Sequence, residues 1–486
     1  ICKIFPSANA RIGLSGINCM ICYEGEDTEI TVPSEIAGKK VTEIGDEALS
    51  GLSGCRKITL PEGIRTIGIS AFRGSGIESV EIPESVETIK RAAFSRTKLT
   101  SVTLPKGLSY IGTIPFADCE NLAEISICEC NENYKTVDGV LYTKDGKTLI
   151  QYPGAKSGEY KVENGTETIA YGSFAGSLIE SAVLPESLKS IENMAFFECD
   201  GLSSFNLPDS LESVGDSAFG EYMLFRFGEE ENPLIESMRV GPNVRHIGKE
   251  AFSMMNIAAF EVDENNPYFA SSGGFITSKA KDMIIEVPQG LGKIVMIPDG
   301  ITTLQDYLLK YCEDAADIVI PDSVFRFGKY VFPYELGEKD ENGQYQYIYD
   351  VKLHCSEGSA AESYAKQFEI AYDDVVDPEN LVYETVTEEM AGTDGAEPAT
   401  LTWHVFKDHA ELVACSGNDK GTLTIPSEFR ELPVTAIRSE KSLYNNCFYS
   451  KVVIPDSVST IESKFFSDFY MLKSATSYTL ARTTQW

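Results

Sequence analysis

Hydrophobic residues recur along this chain in a fixed frame that begins at a proline. After Pro61 the frame places apolar residues at Ile64 and Ile67, and it ends at Phe72. The next copy starts 22 residues later, at Pro83. Further copies start at Pro105, Glu163, Pro185, Pro208, Gly241, Pro321 and Pro455, with a degenerate one at Pro298. A repeat of this length is typical of solenoids, in which each repeat packs only on its neighbours.

One repeat is too small to fold by itself. It offers about eight apolar side chains worth roughly 1.5–3 kcal/mol each when buried, against roughly 30 kcal/mol for ordering its residues. Stacking offsets this cost, because equivalent strands then pair in parallel and the Phe columns merge into one core. The sequence therefore predicts a stack of repeats rather than several independent globular domains.

Two elements are predicted in each repeat. The apolar-spaced stretch over residues 77–82, just before Pro83, predicts a strand, and the proline marks where the chain leaves the sheet because it lacks a backbone donor. The Ile-Gly-x-x-Ala-Phe segment that ends at Phe72 is too short for a full helix and predicts a helical turn on the opposite wall. The column residues expected in one buried stack are Phe72, Phe94, Phe116, Phe174, Phe196, Phe219 and Phe252.

The frame resembles the repeat of the BspA-type leucine-rich-repeat family, which reads roughly Pro-x-x-Val-x-x-Ile-x-x-x-Ala-Phe-x-x-Cys-x-x-Leu-x-x-Ile-x-Leu. The resemblance covers most of residues 30–375 and 423–470. It implies an α/β solenoid, a right-handed superhelix of 22–23-residue repeats with parallel strands on the concave face and short helical turns on the other wall. It also implies a secreted or surface-attached bacterial protein that binds host or neighbouring-cell macromolecules.

Two long interruptions resemble each other and predict β-hairpins inserted between repeats. The first runs over residues 133–153 and turns at residues 144–146, where Asp-Gly favours a tight turn, and the second runs over residues 267–288. Shorter insertions are expected over residues 220–234 and 333–349.

The remaining segments suggest the domain organisation. Residues 1–375 are expected to form one solenoid that is closed by a helix-containing cap over residues 353–372. Residues 376–399 are acidic and suit a solvated linker. The spacing from Cys415 to Pro426 repeats that from Cys22 to Pro33, so residues 400–486 are expected to open a second, short solenoid. With about two repeats, it should either be truncated or lean on the first.

Composition narrows the partner class. The 486 residues include 41 Lys and Arg against 74 Asp and Glu, for a net charge of −33, which disfavours nucleic acid and anionic membrane surfaces. The chain has no apolar run of about 18 residues, so no membrane insertion is expected. Because it starts at Ile1 without a signal-peptide stretch, we expect the numbering to begin inside a mature or trimmed protein.

No catalytic, metal or cofactor site is predicted. Cys119, Cys199 and Cys312 share one column on non-adjacent repeats, too far apart for disulfides, and are expected to be buried thiols. The pair Cys19 and Cys22 lacks the partner ligands of a zinc site. The four histidines are scattered along the chain, so neighbouring residues build no catalytic motif.

The candidate partner-binding residues form two groups. Tyr345, Tyr347 and Tyr349 alternate along a predicted strand, so their rings share one face, with Tyr334 nearby. The acidic neighbours of this group, Glu338, Asp340 and Glu341, favour a basic partner. The second group lies on the exposed face of the strands and consists of Ser79, Ser101, Ser181 and Ser204. The alternatives are that the tyrosines cap the solenoid edge and that serines simply suit crowded parallel strands.

The sequence therefore favours a non-catalytic binding protein, extracellular or at the cell surface, which engages a protein or glycoprotein through its concave face and its hairpin insertions. One alternative is an enzyme or accessory protein acting on glycans, with a site at an insertion, and another is a structural spacer. An active site would require a deep pocket with convergent carboxylates or histidines.

Overall fold

The computed structural model describes most of the chain. The described ranges are residues 11–14, 19–24, 26–36, 38–220, 234–253, 255–312, 314–339, 345–374, 384–390, 399–417, 422–438, 446–447, 449–461 and 474–477.

Short strands dominate the described structure as far as residue 220. They are β1 Arg11–Leu14, β2 Cys19–Glu24, β3 Glu29–Thr31, β4 Glu35–Ile36, β5 Lys39–Lys40, β6 Glu43–Ile44, β7 Lys57–Thr59, β8 Thr66–Ile67, β9 Ser79–Glu81, β10 Thr88–Ile89, β11 Ser101–Leu104, β12 Tyr110–Ile111, β13 Glu124–Ile127, β14 Tyr134–Val137, β15 Val140–Thr143, β16 Thr148–Gln151, β17 Gly158–Lys161, β18 Thr168–Ile169, β19 Ile179–Val183, β20 Ser190–Ile191, β21 Ser204–Phe205 and β22 Ser213–Val214.

The later elements continue the same pattern and include a helix. They are β23 Met238–Val240, β24 His246–Ile247, β25 Phe260–Val262, β26 Phe269–Ser272, β27 Phe275–Ser278, β28 Ile284–Glu286, β29 Ile294–Met296, β30 Thr303–Leu304, β31 Asp317–Val319, β32 Arg326–Phe327, β33 Glu335–Lys339, β34 Tyr345–Ile348, β35 Lys352–His354, α1 Ala360–Phe368, β36 Ala371–Asp373, β37 Glu384–Met390, β38 Ala399–Val405, β39 Ala410–Gly417, β40 Thr422–Thr424, β41 Glu428–Phe429, β42 Leu432–Ile437, β43 Asn446–Cys447, β44 Lys451–Ile454, β45 Thr460–Ile461 and β46 Ser474–Ser477.

Each regular repeat contributes two strands to two different parallel ladders. The strand before the proline was predicted, and it pairs with its equivalents in the order β3-β7-β9. A second strand of two residues follows the proline, and its ladder runs β2-β6-β8-β10-β12. In that ladder Ile67, Ile89 and Ile111 stand in register. The predicted parallel stacking is confirmed, whereas the second strand was missed because two residues carry too short a pattern.

The Phe column forms the centre of the core, as predicted. Its seven rings are at most 1% exposed. They stack in two runs: Phe72, Phe94 and Phe116 lie 4.9 and 5.4 Å apart, and a second run extends from Phe174 to Phe252. Between the runs, Tyr152 takes the Phe position and packs 4.7 Å from Phe174. The expected single stack is therefore interrupted at the first hairpin insertion.

The predicted helical turns, and the α/β class that they imply, are not confirmed, because the repeats are built almost entirely of strands and turns. The residue two positions before the column Phe has a left-handed backbone, with φ of 53° at Ser70, 55° at Ala92 and 57° at Met194. A right-handed helix cannot contain such residues. The backbone N–H of Phe72 instead donates to the carbonyl of Ala93 in the next repeat, 2.8 Å away. Every second donor of the turn, such as the N–H of Phe72, points to the neighbouring repeat, while the donors between them, such as the N–H of Arg73, close local turns. The repeats therefore form a β-solenoid. The hand of the superhelix stays a prediction.

Both hairpin insertions are three-stranded; the first joins the repeat ladder, and the second reaches the next repeat by a single bridge between Met283 and Thr303. The first consists of β14, β15 and β16, and the second of β26, β27 and β28. Strand β16 then pairs in parallel with β18, in the position of a two-residue repeat strand. Equivalent residues of the two insertions are 135 positions apart in the sequence. For example, the side-chain amides of Asn131 and Asn266 each donate to two backbone carbonyls of the preceding repeat. The insertions were predicted; their third strand replaces part of a repeat.

The chain divides into two compact units. Unit one contains residues 1–292, 297–315 and 323–350, and unit two contains residues 293–296, 316–322 and 351–486. In unit two a parallel sheet runs β29-β31-β35-β36, and α1 begins after Ser359, whose hydroxyl accepts the backbone N–H of Glu362 at 3.1 Å. The helix predicted between residues 353 and 372 is thus present.

A second opening of a solenoid is present in unit two. Strands β38 and β39 are antiparallel and β39 then pairs in parallel with β42, which repeats the arrangement of β1, β2 and β6. Trp403 is fully buried there and stacks 4.7 Å from Phe429. Part of the expected linker differs: β37 pairs with β38 over its whole length, because Val386 finds a buried position in this core. Residues 375–383 and 391–398 lie outside the described ranges.

Candidate interaction surface

Two consecutive repeats place a tyrosine at the left-handed position of the turn. Tyr307 has φ 61° and Tyr330 has φ 51°. The equivalent residues of other repeats are Glu47, Ser70, Ala92, Ile114, Gly172, Met194, Ser217 and Glu250. A left-handed backbone costs a residue with a side chain roughly 1–2 kcal/mol, and bulky residues there often mark functional sites. Tyr307 remains 37% exposed.

The hairpin of β33 and β34 lays further aromatic rings beside these two. The ring of Tyr347 lies 4.4 Å from that of Tyr330 and 5.0 Å from that of Tyr334. The ring of Tyr349 lies 6.2 Å from that of Tyr334. Tyr307 and Tyr330 are stacked at 5.5 Å. We call Tyr307, Tyr330, Tyr334, Tyr347 and Tyr349 the tyrosine cluster.

Exposed apolar residues border the tyrosine cluster on the hairpin. Leu336 stands opposite Tyr347 in the register, and the pair is 58% and 40% exposed. Ile348, the next residue of β34, belongs to the other face of the hairpin and is 52% exposed. Contiguous apolar and aromatic side chains left in solvent are typical of protein–protein interaction sites. The hairpin therefore offers both anchoring rings and an apolar margin.

Two hydroxyls of the cluster, those of Tyr334 and Tyr347, have raised pKa values. A hydrogen bond to the Tyr330 hydroxyl, and then burial, raise the pKa of Tyr347. The pKa of Tyr334 is also raised, mainly by burial and to a smaller extent by the neighbouring hydroxyls of Tyr307 and Tyr347. The ammonium of Lys310 lies 5.6 Å from the centre of the Tyr307 ring. The hydroxyls of Tyr334 and Tyr347 therefore stay protonated and neutral in the range where a partner would meet them.

Of the predicted tyrosines, the structure brings Tyr334, Tyr347 and Tyr349 together. The side chains of Tyr345 and Glu338, and the whole of Asp340 and Glu341, lie outside the described part of the chain. Contact between Tyr347 and Tyr330 shows that the hairpin packs on a repeat, as the cap alternative requires. The exposure of Tyr307 and Tyr347 shows that this packing leaves ring surface in solvent.

Tyr307 and Tyr330 were missed in the sequence. Both stand two residues before the position of the column Phe, at Leu309 and Phe332, where most repeats carry a small or polar residue. A comparison of the copies at that one position would have found them.

The four predicted serines form a separate group. Ser181 and Ser204 are paired in one ladder, Ser101 stands opposite Glu124 in another, and Ser79 stands opposite Lys57. Three of them are exposed and Ser181 is half-buried. They lie on the strands before the prolines, in earlier repeats than the tyrosine cluster. Their register partners include acidic, basic and hydroxyl groups.

The column cysteines are buried and free, as predicted. Burial raises the pKa of Cys119 to about 11 and that of Cys199 and Cys312 to about 12. Their thiols are therefore protonated and inert at neutral pH.

His354 is buried between two carboxylates in unit two. Its Nε2 lies 2.7 Å from Asp317 and its Nδ1 lies 2.6 Å from Asp373. Both ring nitrogens are engaged and the ring is 1% exposed, so it has no free nitrogen to offer a substrate. This arrangement joins strands β31, β35 and β36 and is structural.

Unit two also contains an open polar cavity of about 570 Å³. Its described lining is His404, Phe406, His409, Glu411, Thr435, Ala436, Arg438, Ser459 and Thr460. The carboxylate of Glu411 is held by Arg438, whose Nε lies 2.7 Å away. Glycoside hydrolysis normally uses two carboxylates that face the sugar, and this lining includes one, which is already paired.

The repeats match a known protein family. Its description is BspA type Leucine rich repeat region, and its model matches in six copies over residues 22–138, 167–271, 290–339 and 428–484, which is more than half of the chain. No curated protein matches the chain.

Among solved structures, a leucine rich cell surface protein from Faecalibacterium prausnitzii A2-165 is 18% identical over 67% of this chain and 90% of its own, with a TM-score of 0.33. The pneumococcal vaccine antigen PcpA is 20% identical over 75% of this chain and 96% of its own, with a TM-score of 0.35. A leucine-rich repeat protein from Eubacterium ventriosum is 16% identical over 69% and 97%, with a TM-score of 0.41.

Proposed function

This chain belongs to the BspA-type leucine-rich repeat family, and on that premise we propose that it is a non-catalytic protein that binds another macromolecule outside the cell or at the cell surface. The tyrosine cluster is the proposed binding site. The observation that carries this assignment is the exposure of Tyr307 and Tyr347, at 37% and 40%, within an otherwise packed group of rings.

The geometry suits an anchor site for a protein or glycoprotein. Interfaces draw most of their affinity from a few Tyr, Trp or Arg residues that lose solvent on binding. Here the half-buried rings of Tyr330 and Tyr334 contact the exposed rings of Tyr307 and Tyr347, so little side-chain freedom is lost when a partner covers them. The serine-bearing strands offer hydrogen bonds without comparable rings.

The charge of the chain favours a basic partner. The net charge is −33, and Glu335 and Asp350 are both exposed at the base of the hairpin. Opposite charge accelerates association, and salt screens this effect. Association is therefore expected to slow as ionic strength rises, with a smaller change in the dissociation rate.

Among the described residues, no helix is long and apolar enough to cross a bilayer.

Replacing Tyr307 and Tyr347 together by Ser should weaken binding by about tenfold or more, because the two exposed anchors are lost. The measurement passes solubilised extracellular matrix and purified mucin over the immobilised protein and over the variant. The matched control is Tyr268→Ser, a tyrosine that is 53% exposed on the second insertion and outside the tyrosine cluster.

Thermal unfolding accompanies the binding measurement. The proposal expects the double variant to keep its unfolding midpoint within a few degrees and to lose binding, while the control keeps both. Equal binding by the double variant and the wild type would show that the tyrosines only close the solenoid.

A further inference from the structure

An exposed disulfide closes a very small ring in the loop after β13. Cys128 and Cys130 are bonded, with Cα atoms 5.1 Å apart and one residue, Glu129, between them. All three residues are exposed. The entropy that a disulfide removes from the unfolded chain grows with the logarithm of loop length, so a three-residue ring is among the least stabilising.

The second insertion contains the same loop without the disulfide. With the offset of 135 residues, Asp263 and Asn265 take the places of Cys128 and Cys130. The Asp263 carboxylate accepts the backbone N–H of Asn265 at 2.9 Å and its side-chain amide at 3.1 Å. In the first insertion the backbone N–H of Cys130 donates to the sulfur of Cys128 at 3.2 Å. One turn is thus closed by hydrogen bonds in one copy and by a covalent bond in the other.

The surroundings of the two loops are otherwise alike. Asn131 donates to the carbonyls of Lys106 and Leu108, as Asn266 does to carbonyls of its own preceding repeat. Lys144 donates to the carbonyl of Glu129 at 2.7 Å, and Lys279 makes the same contact with Glu264. Because the second copy keeps this geometry without a disulfide, the fold does not require the bond in the first.

We propose that the Cys128–Cys130 disulfide is a thiol–disulfide exchange site that oxidises peptide dithiols, meaning two cysteine thiols close together in a partner chain. Its two sulfurs are accessible, and breaking their bond leaves the supporting loop intact. This is a further activity, independent of the tyrosine cluster.

In this exchange the peptide dithiol is the reductant and the Cys128–Cys130 disulfide is the oxidant. A substrate thiolate attacks Sγ of Cys130, a bond forms between these two sulfurs, and the Cys128–Cys130 bond breaks with its electron pair on Cys128. The second substrate thiolate then attacks the first substrate sulfur, and Cys130 leaves. The substrate becomes a disulfide by losing two electrons and two protons, and Cys128 and Cys130 become thiols. A low-molecular-weight disulfide then re-forms the Cys128–Cys130 disulfide by the same two exchange steps.

The loop favours Cys128 as the leaving group. Its sulfur already accepts the N–H of Cys130, and a hydrogen bond to the charged form stabilises a thiolate. The equivalent carboxylate shows this effect, since the N–H of Asn265, with Arg239 nearby, lowers the pKa of Asp263. The Lys144 ammonium at the Glu129 carbonyl adds positive charge beside the ring.

The test uses the whole protein and a synthetic peptide that carries two reduced cysteines. Wild-type protein should oxidise about one equivalent of peptide, at a rate at least about tenfold above that of the double variant Cys128→Asp with Cys130→Asn. This variant copies the second insertion and should therefore fold. Maleimide labelling followed by mass spectrometry should show two new thiols in the native protein after the reaction, at Cys128 and Cys130.

Two results would overturn the proposal. One is a disulfide that resists the dithiol until the protein is unfolded, with native circular dichroism retained throughout. The other is a pair of thiols that oxidised glutathione does not convert into the disulfide in the folded protein. Folding of the double variant is checked by thermal unfolding, and Ser substitutions at both cysteines provide a second variant if it fails to fold.

Discussion

Phe94→Ala should destabilise unit one by about 3–5 kcal/mol, because it removes a fully buried ring and leaves a cavity that the flanking repeats cannot close. Phe94 lies between Phe72 and Phe116, so its loss breaks both stacking contacts of that run. Because a solenoid is held together by contacts between neighbouring repeats, the unfolding transition should also broaden. Urea unfolding followed by circular dichroism measures both effects.

The control for this substitution is Tyr110→Ala, an aromatic ring of the neighbouring repeat that is 55% exposed. It should change stability by about 0.5 kcal/mol or less. Similar losses for the two variants would mean that the Phe column does not form the core and that the repeat register is wrong.

Glu286→Gln should make the protein more stable than the wild type at high pH. Glu286 is 5% exposed, and burial raises its pKa to about 8, partly offset by hydrogen bonds from the backbone N–H groups of Ala251 and Phe252. A carboxyl group whose pKa is raised by folding stabilises the protein below its unfolded pKa, and this stabilisation is lost as pH rises through about 8. Between the unfolded and the folded pKa, the free energy of unfolding falls by about 1.4 kcal/mol per pH unit.

The wild type and the Glu286→Gln variant should therefore be equally stable near pH 4, below the unfolded pKa of 4.5. By pH 8–9 the variant should be the more stable by up to about 4 kcal/mol. The first insertion shows how a neutral amide is accommodated, since Gln151 stands at the equivalent position and accepts the N–H of Phe116 at 3.3 Å. Urea unfolding midpoints across this pH range provide the measurement.

The first insertion also supplies the reciprocal control. Gln151→Glu should introduce the pH dependence that Glu286→Gln removes, because the side chain at residue 151 is 1% exposed. If neither substitution changes the slope of stability against pH, then Glu286 is ionised in the folded protein, and the pH argument is wrong.

The parts of the fold with a strong period were predictable. The frame from Pro61 to Phe72 gave the repeat, the buried rings and the strand before each proline, since each depends on spacing alone. The helical turn that the spacing of Ile-Gly-x-x-Ala-Phe predicts before Phe72 is not confirmed. The conformation of this segment is set by hydrogen bonds to the next repeat, which one repeat does not reveal.

The candidate site was predictable in part. The alternation over residues 345–349 indicated a tyrosine face, and Tyr347 and Tyr349 do contact the same ring. Tyr307 and Tyr330 belong to separate repeats and meet only because stacking brings positions 23 residues apart to 5.5 Å. The Cys128–Cys130 disulfide was missed for another reason, since its meaning depends on comparison with Asp263 and Asn265 in the second copy.

The proposal that the tyrosine cluster binds a macromolecular partner is tested most directly by hydrogen–deuterium exchange on the wild-type protein, alone and with the bound fraction of matrix or mucin. Binding should slow exchange at β33, at β34 and in the turn that contains Tyr307, with little change at β9 and β11. Protection confined to the strands that carry Ser79, Ser101, Ser181 and Ser204 would contradict it.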